Sequence, residues 1–172
     1  MNVCEPFTNL FELSKTETAP VKTASIIQYA LASLVSCKNI SSSLFKYWLA
    51  KENLDDNFQI DAHQDYLKSY INYCVNCLKE YFRAIRHVFP TAWTPESKLL
   101  KVISLNAFII AFRDTLDELG GPKGFNFYAD ALLGLDIDFL NTNKDFPYAG
   151  AQYSKFANDL IIPLYLEQND KK

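Results

Sequence analysis

Methionine occurs once, histidine twice and glycine only five times in this chain of 172 residues. So little glycine argues against an all-β sandwich with many tight turns. Long apolar runs are missing too. The longest apolar-rich stretch, residues 102–112, is interrupted by Ser104 and Asn106 and followed by Arg113 and Asp114; a bilayer span needs about 20 apolar residues. The first residues, MNVCEPFTNLFE, place an acid and a proline where a secretory signal would be apolar. These absences point to a cytoplasmic protein without a membrane partner. No strong charge of one sign is present: the formal net charge of −3 excludes polyanion binding driven by overall charge, but leaves room for a local basic patch. Phosphate-cradling GxxxxGK[ST] and GxGxxG motifs and the GxSxG esterase elbow are also missing, so neither a nucleotide cofactor nor an activated serine is expected.

Hydrophobic and aromatic side chains are plentiful, at 49% and 15% of the residues. That is too apolar for disorder, and the length suits one domain with a real core. The apolar residues recur at helical spacing. A first helix is expected over residues 21–37, with Ile26, Ile27, Ala30, Leu31, Leu34 and Val35 on one face. Pro20 suits its start, and Asn39 with serines 41–43 suits its end and the cap of the next. A short aromatic helix follows over residues 44–51, then a polar link over residues 52–60. A long helix over residues 63–88 carries a wide apolar stripe from Tyr66 and Ile71 to Val88, with Asp61 as its expected cap and Pro90 as its stop. The next pattern, residues 95–119, starts at Pro95, is apolar almost all round and belongs at the centre; Gly120, Gly121 and Pro122 end it. Residues 124–140 suit one or two short helices. Residues 141–150 read as a loop, and residues 151–166 as a last helix weakened by Pro163. The expected fold is an all-α, single-domain, irregular bundle of about five to six helices around a long central one. Residues 1–20 form an N-terminal strap, 21–166 the helical domain and 167–172 a disordered tail.

Candidate chemistry is sparse. Cys4, Cys37, Cys74 and Cys77 read as reduced thiols. The CxxC of Cys74 and Cys77 lies mid-helix on the apolar stripe, whereas redox pairs sit at helix N-termini. It lacks the further ligands that zinc needs. His63, in an acidic helix start, and His87, at a helix end, suit capping roles better than general-base roles. Asp130, Asp136 and Asp138 lack the alternation of a calcium loop. No catalytic, cofactor-binding or metal residue is therefore expected. The one constellation to weigh is basic: Lys79, Arg83 and Arg86 recur along one flank of the long helix, and Lys98 and Lys101 follow the Pro90 turn. Such a flank suits phosphate contacts, and it also suits an ordinary solvated helix face.

The segment LKEYFRAIRHVFPTAW, residues 78–93, followed by SKLLKVISLNAFIIAF, resembles the C-terminal helical region of DGQHR-domain proteins, the DndB-like family associated with DNA phosphorothioation. Matching features are the YF.AI..VFP..W helix end, the helix TASIIQYALASLV and the closing AGAQYSKFANDLI. The Asp-Gly-Gln-His-Arg motif that names the family is absent, so the resemblance transfers no site residue. It implies a helical partner module of a DNA-modification or mobile-element system. The leading expectation is a non-enzymatic interaction module that binds a protein partner or itself; the alternative is a DNA-binding regulator working through Lys79, Arg83, Arg86, Lys98 and Lys101.

Overall fold

A computed structural model describes residues 23–38, 41, 43–140, 148 and 150–171. The expected strap with Cys4, the Asn39 cap and most of the 141–150 loop lie outside these residues. Among the described residues there are helices and no strands, an all-α single-domain bundle. Six helical stretches are numbered in chain order. The first, α1, covers residues 23–34 and widens into a π turn at Ile27–Leu31. Next come α2 (Leu44–Glu52), α3 (Gln64–Val88), α4 (Val102–Asp114) and α5 (Phe125–Leu132). The last, α6, covers residues 153–170 with a π turn at Ala157–Ile161.

The central helix is α4. Every residue from Ser104 to Phe112 is buried, as expected for a segment apolar on all sides. It packs against α1 on one side and α6 on the other, while α3 lies along α5. Aromatic rings fill the junction. Tyr81 of α3 is enclosed by Phe112 at 4.7 Å, Tyr128 at 4.8 Å and Tyr165 at 6.2 Å between ring centroids. A second cluster joins Phe45 and Trp48 of α2 to Tyr70 of α3, and the indole of Trp48 donates to Ser69 Oγ at 3.2 Å.

Several boundaries differ from the periodicity. The pattern over 95–119 is helical only from Val102 to Asp114. Upstream, the backbone of Lys98 is committed elsewhere: its N–H donates to Phe139 O at 2.8 Å, and its carbonyl accepts from Ser104 Oγ at 2.7 Å. Buried Ser97 donates to Ala92 O. Tertiary partners thus hold 94–101 in turns, and Pro95 does not open a helix. Downstream the chain turns through Gly121, whose N–H bonds Leu116 O and whose φ of +117° lets it pass beneath the Tyr47 ring.

Helix α3 starts at Gln64 with His63 in the N-cap position, so Asp61 is not its cap; Asp61 sits in a separate 3₁₀ turn, Ile60–Ala62. Ser43 occupies the N-cap position of α2, but its hydroxyl makes no capping bond. The other end of α2 closes through Asn53 in the left-handed region, with Leu54 N–H on Leu49 O at 2.9 Å. Tyr66 and Ile71, counted in the apolar stripe of α3, are exposed, and Val88, Phe89 and Trp93 are only half-buried.

Pro163 does not end α6, which continues to Asp170. Proline lacks an N–H and its ring presses on the carbonyl four residues back. The π turn immediately before it, with Ile162 N–H reaching Ala157 O, is where that misfit is absorbed. The segment from residue 167, expected to be disordered, is helical through Asp170, with Glu167 paired to Lys171 at 3.3 Å.

Candidate binding groove

An open groove of about 740 Å³ runs along one flank of α3. Much of its lining comes from α3 residues about one turn apart, Asp65, Lys68, Asn72, Asn76 and Glu80; α2 adds Lys51, and Pro122–Gly124 complete it. A second concavity of about 490 Å³ shares Glu80, Lys123 and Gly124, and extends to Arg83 and Asn126. The helical period explains the α3 lining. The face of α3 turned to the core carries Tyr70, Cys74, Leu78, Tyr81 and Ile85, so the positions flanking it fall at the edge of the packed interface.

Ion pairs occupy part of this surface. Glu80 holds Arg83 at 2.6 Å, and the Arg83 guanidinium also lies over the Phe125 ring, 5.5 Å from its centroid. Asp65 stands 3.9 Å from Lys68 on exposed helix, an arrangement worth little in stability. Lys51 lies 5.5 Å from the centroid of the Tyr73 ring. Half-buried Cys77 also lines the groove; burial pushes its thiol up to about 11, with Tyr73 and the Lys51 ammonium partly opposing that rise. Cys74, on the buried side, is pushed up to about 12 by burial. Thiols so raised hold little thiolate at neutral pH, consistent with packing groups and not nucleophiles.

The structure disperses the basic residues read from the sequence. Lys79, Arg83 and Arg86 share a flank of α3, and Arg83 alone reaches the concavities, already paired. Lys98 lies half-buried in the turn before α4. Lys101 donates its ammonium to Pro95 O at 2.8 Å, holding that turn. Both histidines are exposed and meet aromatic rings: His63 stacks on Phe58 at 5.1 Å, and His87 meets the Phe125 edge at 5.3 Å. Asp130, Asp136 and Asp138 are exposed, and Asp138 accepts the Leu140 N–H at 2.9 Å.

Sequence reasoning missed Lys51, Lys68, Lys123, Asn72 and Asn76. The polar repeat of Asp65, Lys68, Asn72, Asn76 and Glu80 is visible as a helical stripe. Lys51 and Lys123 are far from it in sequence, and only folding brings them to it. Two polar side chains are buried without a partner, which the sequence does not reveal: Asn106 in α4, with neither carboxamide atom hydrogen-bonded, and Ser43, whose hydroxyl is unpartnered.

Among the described residues, no helix is long and apolar enough to cross a membrane. The chain matches no family model, no curated protein and no solved structure.

Proposed function

We propose that this protein is a non-enzymatic helical interaction module that uses the groove along α3 to bind a protein partner. The observation that carries this reading is the groove itself: wide and open, built along a long helix and edged by residues from two other segments. Reactive residue types near it are already engaged. The thiol of Cys77 is raised by burial, the guanidinium of Arg83 is paired, and His87 packs on Phe125. What remains available are amides and ammonium groups, which bind and orient rather than transform.

The likeness of residues 78–93 to DGQHR-domain proteins extends the proposal to a partner half of such a protein in a DNA-modification or mobile-element system. Support for the extension is the residue pattern together with the all-helical fold. The DNA-binding alternative has less behind it, because two of its five residues, Arg83 and Lys101, already hold Glu80 and the Pro95 carbonyl.

The test compares the wild type with Asn72→Trp/Asn76→Trp, two exposed positions whose enlargement fills the groove. Both are tagged and expressed equally in the cells that make the protein. A defined set of proteins should co-purify with the wild type and be lost from the variant. Identical sets from both would remove the groove from the function.

A further inference from the structure

The charges and amides of the groove select among partners. Lysines 51, 68 and 123 and Arg83 line the two concavities, against Asp65 and Glu80 as the acids. Both acids already face a cation of the groove, Lys68 and Arg83 respectively. Lys51 and Lys123 are left without a carboxylate partner among the described residues, and both line the groove. In a protein of formal net charge −3, this is a local reversal of sign.

The spacing is equally informative. Asn72 and Asn76 are exposed and one helical turn apart in the groove. Side chains at i and i+4 lie about 6 Å apart, close to the roughly 6.6 Å that two residues of an extended chain cover. A carboxamide both donates and accepts, so each can grip one peptide unit while the intervening side chains point to the walls. From Asp65 to Arg83, α3 rises about 27 Å, the length of about eight extended residues. A nucleic acid would fit worse: two unpaired lysines release few counterions.

We infer that the groove formed by α3, Lys51 and the 122–126 segment takes an extended acidic peptide segment of a partner protein. Asn72 and Asn76 hold its backbone, and Lys51 and Lys123 hold its carboxylates. This rests on the interaction-module reading and gives it a partner chemistry.

The test is fluorescence anisotropy with the full chain and a labelled decapeptide of alternating glutamate and serine. Controls are the same peptide with glutamine for glutamate, and a labelled DNA duplex. The acidic peptide should bind at low salt and weaken as salt rises. Lys51→Glu/Lys123→Glu should lower its affinity at least about tenfold. Asn72→Ala/Asn76→Ala should weaken both peptides by about threefold or more. Lys155→Glu, on exposed α6 outside the groove, should leave binding unchanged. Helicity by circular dichroism verifies each variant. Should a variant not fold, amide shifts of the wild type on peptide addition decide: they should concentrate around Lys51 and in residues 65–83 and 122–126, and shifts concentrated elsewhere overturn the inference. It is also overturned by no saturable binding up to about 1 mM peptide, by equal loss in Lys155→Glu, or by tighter binding of the duplex. If the peptide fails to bind while the tryptophan variant still loses its co-purifying proteins, the partner chemistry is wrong and the module reading stands. If the peptide binds but co-purification is unchanged, the module reading falls.

Discussion

The fully buried hydroxyl pair of Tyr81 and Tyr165 offers a sharp test of the core. Tyr81 donates to Phe108 O at 2.7 Å, and the two phenol oxygens lie 2.7 Å apart. A phenol has one hydrogen, so if Tyr81 spends its own on Phe108, Tyr165 must donate to Tyr81. The two truncations are then unequal. Tyr165→Phe removes a donor from an oxygen that still donates elsewhere, and should cost about 1 kcal/mol, the net worth of one hydrogen bond. Tyr81→Phe strands the Tyr165 hydroxyl in a dry interior and should cost about 2–3 kcal/mol, bond plus desolvation. The double variant strands no donor and should cost less than the sum of the singles, a coupling of about 1 kcal/mol. Urea denaturation of all four proteins measures this, and each kcal/mol should move Tm by about 2–4 °C for a chain of this size. Tyr165→Phe costing as much as Tyr81→Phe, with additive effects, would refute the donor order and the dryness of the pair.

Other expectations follow from buried groups. Burial raises the phenols of Tyr70, Tyr81, Tyr128 and Tyr165 above their ordinary value of 10.0. A group whose folded pKa is raised stays protonated after the unfolded chain has ionised, so its stabilisation is complete below about pH 10 and is lost as pH climbs beyond it. The urea midpoint should therefore be flat near pH 8–9 and fall steeply above 10, by about 1.4 kcal/mol per pH unit for each such phenol; a midpoint level to pH 11 would contradict this. Asn106→Leu replaces a buried, unpartnered carboxamide with an apolar group of similar size, and should stabilise by about 1–2 kcal/mol. A loss of stability would mean that the amide has a partner in solution. Cys74 and Cys77, raised to about 12 and about 11, should react with a thiol reagent at pH 8 at least about thirtyfold more slowly in the native protein than in urea; native rates close to the unfolded rate would show both thiols to be accessible and ionised.

Helix existence was legible wherever the apolar period ran long. Residues 64–88 and 102–114 follow their patterns because a helix that buries one face, or every face, must repeat its apolar residues at the turn spacing. Boundaries were less legible. Pro95 is a good local start signal, but Phe139 and Ser104 claim the backbone of Lys98, one from far along the chain and one from the start of α4. Pro163 reads as weakening the end of the last helix, yet the π turn lets α6 continue to Asp170, a backbone adjustment that the pattern of side chains does not encode.

The same division holds for function. Composition and periodicity alone determined an all-α chain with α4 at its centre, and the mid-helix position of Cys74 and Cys77 alone argued against redox chemistry. Which basic groups line the groove was decided by tertiary structure. Arg83 and Lys101 share charge type with Lys51 and Lys123, but the first pair find partners nearby in the chain, Glu80 and the Pro95 carbonyl. Folding brings the second pair, far apart in sequence, to one groove. The reason is geometric: a helical period reports which face a residue occupies on its own helix, while the approach of α2 and the 122–126 segment to α3 depends on packing among residues far apart in sequence.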